Sequence, residues 1–304
     1  MKNQVKKFDL FYTIKFVHKN NNQIKLWFAR PVKSKYQKIV SFQTNLRSTK
    51  KYCDDQQNRI LYFDLKYKND FDVNLAIELS KDGELVSKNW SLVKDSNLKN
   101  YLKSESFLEQ TPAIKKLTKE ITREKKNLYD KVRAVFDFVV DNFKYQYPVK
   151  KRGVKHLNLK NLCGDCGEYG TMLVTMLRIL GIPAKNQTGF VICQKQKKVL
   201  EHSWVSAYLK NIGWLDFDPQ YADIEKNKDK YFGRRSDYRI VFTNGFNIPI
   251  KPDISPRYTV DFWHKAGLPM TRKSVQVLQP AVFVSKNKIE FRDKFTIKNR
   301  SRWK

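Results

Sequence analysis

The segment 161–184 reads NLCGDCGEYGTMLVTMLRILGIPA and contains the most strongly specified helix of the chain. Asp165 can cap the first turn, and Glu168, three residues later, can reach back to it in a capping-box arrangement. Apolar residues then recur at helical spacing until the Gly-Ile-Pro stop at 181–183. The pattern predicts a helix that begins at Cys166 and buries one long apolar face.

Working outward from this helix, the sequence predicts two helices before it and strands after it. Pro112 can begin the first helix, and Asn127 can cap a second one whose apolar stripe extends to Phe143. Strand-like runs follow the central helix at 189–193, 204–209 and 214–217. A helix against an antiparallel sheet predicts an α+β fold.

The first hundred residues have a different texture, because apolar and polar residues alternate with a period of two. The runs 8–17 and 23–28 flank the asparagines 20–22 and predict a β-hairpin. Further strand-like runs lie at 38–42, 60–66 and 72–79. The region is therefore predicted to form an all-β, sandwich-like domain.

These changes of texture divide the 304 residues into three parts. We predict an N-terminal β domain over 1–105, an α+β core over 106–250, and a basic C-terminal extension over 251–304. The extension contains short strand-like runs at 275–278 and 282–284. A chain of this length is long enough to bury more than one core.

The chain is strongly basic, with a formal net charge of +30 from 60 Lys and Arg against 30 Asp and Glu. The electrostatic field of so much positive charge attracts acidic polymers. A non-specifically bound acidic polymer is therefore a candidate partner. The basic residues are spread along the whole chain and lack the interleaved Arg and aromatic pattern of a base-reading surface. The composition favours a solvated, Lys-rich surface.

Hydropathy and cysteine usage predict the compartment. No segment approaches eighteen consecutive apolar residues, and the start lacks an apolar secretory stretch. The four cysteines do not make a disulfide framework. We therefore expect reduced thiols, no transmembrane segment and a cytoplasmic location.

Cys166 is the candidate nucleophile. A thiol reacts as thiolate, and both a helix N-terminus and a neighbouring histidine favour that form. The free backbone donors of the first turn can also supply half of an oxyanion hole. Asp165 and Glu168 act in the opposite direction, since nearby carboxylates disfavour a second negative charge, so an imidazolium partner matters more.

The candidate partners are His202 and Asp218. His202 begins one predicted strand, and Asp218 follows another, with a turn near Asn211 between them. Adjacent antiparallel strands would place the two side chains opposite one another, where the carboxylate can accept the imidazole N–H. The predicted site is therefore a Cys–His–Asp triad.

Four sequence segments together resemble the transglutaminase-like superfamily, over about residues 110–250. They are Gly-Asp-Cys at 164–166, LRILGIPA at 177–184, His-Ser-Trp at 202–204, and Gly-Trp at 213–214 with Asp-Pro at 218–219. The resemblance implies a papain-related core with Cys, His and Asp as its triad. It also implies acyl transfer on protein or peptide amides through a thioester, by hydrolysis or by transamidation. Some similar family members carry an N-terminal β domain.

The sequence departs from the usual family pattern at two positions. Many members have Glu four residues after the His, where this chain has Ser206, and a second thiol, Cys163, lies just upstream of the nucleophile. Asn161 is a candidate second oxyanion donor. Trp204 is a candidate wall of the cleft, although core packing is the more common use of such a residue. The remaining histidines are interpreted as surface or packing residues: His18, His156 and His264.

Three alternatives stay open at this point. A structural zinc site would use four ligands with irregular spacing: Cys163, Cys166, Cys193 and His202. A dithiol redox pair would lack its usual βαβ setting. A transglutaminase-like core kept as a binding module for an acidic partner is the third. The favoured interpretation needs no cofactor and no metal.

Overall fold

The computed structural model describes eight stretches of the chain: 4–16, 23–66, 70–81, 87–193, 198–235, 237–258, 270–286 and 290–299. The chain forms two compact units. The one called here the α+β unit comprises Asp82–Gln187, His202–Ser236 and Met1–Lys2. The one called the β unit comprises Asn3–Lys81, Thr188–Glu201 and Asp237–Lys304.

Strands dominate the described residues. The strands are β1 Gln4–Phe16, β2 Gln23–Arg30, β3 Gln37–Thr44, β4 Lys50–Cys53, β5 Arg59–Lys66, β6 Phe71–Lys81, β7 Phe143–Tyr145, β8 Leu162–Gly164, β9 Ala184–Cys193, β10 Lys198–Leu209, β11 Gly213–Phe217, β12 Arg239–Asn244, β13 Ile248–Pro249, β14 Ser274–Val275, β15 Ala281–Ser285 and β16 Phe291–Asn299. The α-helices are α1 Pro112–Thr122, α2 Leu128–Asn142, α3 Cys166–Ile179 and α4 Pro219–Ile224.

The β unit is built from two four-stranded antiparallel sheets, with strand orders β16-β1-β6-β3 and β15-β2-β5-β4. Their inner faces meet through aromatic side chains. The ring centroid of Phe28 on β2 lies 6.0 Å from that of Tyr12 on β1 and 5.5 Å from that of Phe71 on β6. Two sheets that pack face to face form a sandwich, so the predicted all-β sandwich is confirmed.

The predicted hairpin between 8–17 and 23–28 is wrong. β1 pairs with β6 and β16, whereas β2 pairs with β5 and β15. Both strands alternate because their apolar faces line the same core from opposite sheets. Alternation identifies a half-buried strand without specifying its partner. The asparagines 20–22 lie outside the described residues.

In the α+β unit the predicted starts of α1, α2 and α3 and the stop of α3 are confirmed, whereas α2 ends at Asn142 and Phe143, predicted on its apolar stripe, begins β7. The Asn127 side chain caps α2 by accepting a hydrogen bond from the Asp130 N–H at 2.9 Å. Gly181 ends α3 with a φ of +79°, a conformation that favours glycine. The Ile182 N–H then donates to the Leu177 carbonyl at 3.0 Å and closes the helix end.

The predicted strands 189–193, 204–209 and 214–217 lie within β9, β10 and β11. β10 and β11 form an antiparallel pair from Val205 opposite Phe217 to Leu209 opposite Gly213. β9 and β10 each contribute residues to both units. This mixture of helices and antiparallel sheets confirms the α+β class.

The bounds of the two compact units differ from those of the three parts predicted from sequence. The three-part division stays a prediction. β15 contains the predicted run 282–284, whereas only Val275 of the run 275–278 lies in a strand. β15 and β16 pair with β2 and β1. Each α-helix in the described part of the chain is too short or too polar to cross a membrane.

Candidate active site

Cys166 is the first residue of α3 and is partly exposed. Asp165 caps the helix, since its Oδ1 accepts a hydrogen bond from the Gly167 N–H at 2.8 Å. The apolar side chains of the next two turns are completely buried: Tyr169, Met172, Leu173 and Met176. A helix held in this way presents its first turn in a fixed orientation.

His202 and Asp218 are in direct contact. The Nε2 atom of His202 lies 2.7 Å from the Oδ2 atom of Asp218, and each side chain is 3% exposed. The Cys166 thiol lies close enough to the same imidazole to help raise its pKa. The structure therefore brings the three predicted side chains together.

The strand register refines the predicted geometry. Extending the pairs of β10 and β11 by one residue puts Asp218 opposite Trp204, so His202 is its diagonal neighbour on the same face. Asp218 also lies one residue beyond β11 and caps α4, because its Oδ1 accepts a hydrogen bond from the Tyr221 N–H at 3.0 Å. Pro219 suits this first helical position and ends the strand.

The surroundings of His202 favour the imidazolium form. Burial by itself would lower the pKa of His202, but the Asp218 carboxylate and the neighbouring Cys166 raise it to about 9. At neutral pH the ring therefore holds a proton between a carboxylate and a thiol. An imidazolium at this point stabilises a neighbouring thiolate.

Aromatic rings cover the imidazole. The Tyr221 ring stacks on His202 with centroids 4.3 Å apart and an interplanar angle of 12°. Trp204 is completely buried, its centroid lies 6.2 Å from His202, and its Nε1 donates to Gln187 Oε1 at 2.9 Å. Trp204 thus packs in the core beside the site. Sequence reasoning missed Tyr221, although Asp-Pro at 218–219 is a helix start that could have indicated a nearby helical residue.

A buried ionic cluster lies beneath the first turn of α3. The guanidinium of Arg152 donates to both carboxylate oxygens of Asp165, at 3.0 and 2.6 Å, and to Glu168 Oε2 at 2.9 Å. The side chains of Arg152, Asp165 and Glu168 are 3%, 11% and 0% exposed. Nothing in the sequence distinguishes Arg152 among 60 basic residues, so sequence reasoning missed it.

The predicted capping box is therefore wrong. The Glu168 carboxyl group contacts Arg152 and Asp165 instead of the backbone N–H of Asp165. Burial and the Asp165 carboxylate raise the pKa of Glu168 to about 8. Burial alone would also raise the pKa of Asp165, but Arg152 holds it below its ordinary value. At neutral pH the cluster thus contains one positive charge, one negative charge and one neutral acid.

The departure from the family pattern at Ser206 has a structural counterpart. Ser206 lies directly opposite Asp216 in the pairing of β10 and β11. The Oδ2 atom of Asp216 accepts a hydrogen bond from the Nε of Arg235 at 2.7 Å, and both side chains are buried. The neighbouring strand thus supplies a carboxylate next to the position where many family members have Glu.

The remaining predicted residues lie apart from these contacts. Asn161 is exposed in a turn, and its backbone N–H donates to the Asn158 carbonyl at 3.0 Å. His156 is exposed, whereas His18 and His264 fall outside the described residues. All four cysteines are free thiols. Over the described ranges, no group of three or more His, Cys, Asp or Glu side chains is arranged to hold a metal ion.

Comparison with known proteins shows a family resemblance over part of the chain. Residues 115–219 match the model of the transglutaminase-like superfamily, which confirms the resemblance over that part of the chain. YebA of Bacillus subtilis (strain 168), which is uncharacterized, is 25% identical over 146 residues. That match covers 40% of this chain and only 20% of YebA. Residues 115–219 are thus similar to the transglutaminase-like superfamily.

One solved structure is similar in fold, and a second matches more weakly. A candidate cysteine protease from Cytophaga hutchinsonii superposes with a TM-score of 0.60 over 98% of this chain and 92% of its own, at 13% identity. The periplasmic domain of TgpA from Pseudomonas aeruginosa matches 72% of this chain and 92% of its own, with 16% identity and a TM-score of 0.40. The first of these similarities supports the fold alone.

Proposed function

We propose that the protein is a cysteine-dependent acyl-transfer enzyme that acts on amide bonds of proteins or peptides. The observation that carries this proposal is the contact chain from the Cys166 thiol through His202 to the Asp218 carboxylate, at the start of a buried helix. Partial exposure of Cys166 supports access by a large substrate. The superfamily match supports the same class of chemistry.

In the first half of the reaction, His202 holds the proton of the Cys166 thiol and the thiolate attacks the carbonyl carbon of the amide. Asp218 keeps the imidazole in place and stabilises its positive charge. The backbone N–H of Cys166 donates to the oxyanion of the tetrahedral intermediate. His202 then returns the proton to the departing nitrogen, and ammonia or an amine leaves as the thioester forms.

In the second half, a nucleophile attacks the thioester and restores the thiol. Water gives hydrolysis, and a lysine amine gives transamidation. Hydrolysis and transamidation use the same three residues, so the triad does not distinguish them and the proposal includes both. The second oxyanion donor stays at the stage of prediction, with Asn161 as its candidate. The cytoplasmic location and the non-specific acidic polymer partner also stay predictions.

Reaction with iodoacetamide between pH 5 and 9, followed by peptide mapping, tests the thiol without a known substrate. Exposed Cys53 provides a reference thiol in the same molecule. We expect Cys166 to react much faster than Cys53 below pH 7, and to lose that advantage in His202→Ala. Equal rates for the two thiols in the wild-type protein would contradict the proposal.

Ammonia release and new N-termini, measured with casein as the amide substrate, then separate side-chain deamidation from peptide cleavage. Adding a primary amine tests transamidation by incorporation of that amine. The competing class is a binding module for an acidic partner, which the net charge of +30 favours. Salt-dependent binding of polyanions by a protein with an inert Cys166 would support that class instead.

A further inference from the structure

The ionic cluster under α3 neutralises a carboxylate that lies next to the proposed nucleophile. The helix is capped by an aspartate, the residue directly before Cys166, and a second acid follows at Glu168. A carboxylate within about 6 Å disfavours a second negative charge and so raises the pKa of a neighbouring thiol. An aspartate cap without a counterion would therefore oppose thiolate formation.

Arg152 supplies the counterion. Its two terminal nitrogens form a bidentate pair with Asp165 and one of them also reaches Glu168. Bidentate pairing fixes the orientation of a carboxylate as well as its charge. Because the three side chains are almost completely buried, water screens their charges little. The charge of Cys166 also acts on Arg152, so the guanidinium lies within electrostatic reach of the thiol.

Two glycines leave the space that this arrangement occupies. A Cβ atom at Gly164 would lie 2.4 Å from the Cβ of Glu168. A Cβ atom at Gly167 would lie 3.0 Å from Asp165 Oδ1 and 3.3 Å from Arg152 Nη1. The contact at Gly164 is shorter than side-chain packing permits, and the two at Gly167 are tighter than most contacts of a Cβ atom. The glycines on each side of Asp165 and Cys166 therefore allow the cluster to pack against the helix start.

We propose that Arg152 is a positioning residue that holds and neutralises the Asp165 cap, so that the cap does not oppose negative charge on Cys166. This inference rests on the proposed function of Cys166. The other titratable groups around the thiol are His202 on β10 with Asp218 behind it, Tyr145 on β7, and the neutral acid Glu168.

Variants that change the charge of the cluster separate this role from a purely structural one. Arg152→Met leaves one net negative charge beside the thiol. Arg152→Met with Asp165→Asn is neutral and keeps a good helix cap, since asparagine caps as well as aspartate. Asp165→Asn with Glu168→Gln leaves one net positive charge. The readout is the pH midpoint of the reaction of Cys166 with iodoacetamide.

We expect the midpoint to rise by about one pH unit in Arg152→Met, which slows the reaction at pH 7 about tenfold. The neutral double variant returns to the wild-type midpoint, and the positive one falls below it. The order of the midpoints thus follows the charge. Circular dichroism and thermal melting establish which variants are folded. If Arg152→Met does not fold, the pH midpoints of the two double variants test the proposal instead.

A midpoint that is the same in every folded variant, or reactivity lost equally in all of them, would overturn the role of Arg152. That result leaves the proposed function standing, provided that the wild-type Cys166 outpaces Cys53 and depends on His202. If the wild-type thiol lacks that advantage, the proposed function itself fails. The two failures are therefore distinguishable in one set of measurements.

Discussion

The α+β unit and the β unit differ in the kind of side chain that they bury. Of the Asp, Glu, Lys, Arg and His side chains that are buried in the described part of the chain, nine belong to the α+β unit and one, Arg239, to the β unit. The nine are Arg152, Asp165, Glu168, Arg178, Lys185, His202, Asp216, Asp218 and Arg235. Burying a charge is costly unless it is paired.

The core of the β unit is aromatic and aliphatic, with Phe28 in ring contact with Tyr12, Phe42 and Phe71. Apolar packing of this kind stabilises a fold without titrating. The contrast teaches that both units bury apolar area, whereas the α+β unit in addition accepts most of the buried ionisable groups. Perturbed ionisable groups cluster at functional sites, which supports assigning the chemistry to the α+β unit.

The largest expected effect is that of Cys166→Ala on the proposed reaction. Removing the nucleophile should reduce release of ammonia or amine from casein by at least about a thousandfold. Because Cys166 is only partly buried, the free energy of unfolding should change by less than about 1 kcal/mol. Cys53→Ala is the matched control and should leave both quantities unchanged. Residual release at the wild-type rate would place the chemistry elsewhere.

In the β unit the largest expected effect is on stability. Phe28→Ala removes a completely buried ring and should lower the free energy of unfolding by about 3–5 kcal/mol, measured by urea denaturation. Phe11 on β1 is 38% exposed, so Phe11→Ala is the control, with an expected loss of less than about 1 kcal/mol. Equal losses in the two variants would contradict the packing described for the sandwich.

The dependence of stability on pH should come from the α+β unit. His202 has its pKa raised from 6.5 to about 9, so the folded state binds this proton more tightly than the unfolded state. The resulting stabilisation, about 3 kcal/mol, is fully present below pH 6.5 and is lost as the pH rises through 9. His202→Gln should remove this part of the dependence between pH 6 and pH 9.5.

Phe28→Ala provides the comparison for that experiment. Its deficit in the free energy of unfolding should be the same at both pH values, because no titrating group is removed. A His202→Gln variant that keeps the full wild-type dependence on pH would show that other groups carry it.

The smallest expected effect concerns the ring that covers His202. Tyr221→Leu removes the stacked ring and should slow the reaction of Cys166 with iodoacetamide at pH 7 by roughly threefold to tenfold, the equivalent of a typical aromatic pair. Tyr221→Phe keeps the ring and should retain the wild-type rate. A slow Tyr221→Phe variant would instead assign the effect to the hydroxyl group.

Much of the site could be predicted from local patterns. The cap at Asp165, the start of α3 at Cys166 and the glycine stop at Gly181 are consequences of backbone hydrogen bonding within a few residues. His202 and Asp218 could be paired because a short turn joins β10 to β11. Interactions close in sequence can be predicted because few alternative partners are available.

Other features depended on partners far apart in the chain. β1 and β2 have the alternation of a hairpin, but β1 pairs with β16 from the other end of the sequence. An arginine is ordinarily expected to be exposed to solvent, but Arg152 is buried against Asp165. Neither alternation nor charge encodes which distant element will cover a given face.

The sequence by itself determined the helix that carries Cys166, the presence of a histidine and an aspartate on neighbouring strands, and the alternation that makes the β unit. The tertiary structure decided which strands pair, that Glu168 is a buried acid with a raised pKa, and that Arg152 faces the helix start. The physical reason is range. Capping and periodicity act within one or two turns of the chain, whereas burial and charge pairing depend on which surfaces the whole fold brings together.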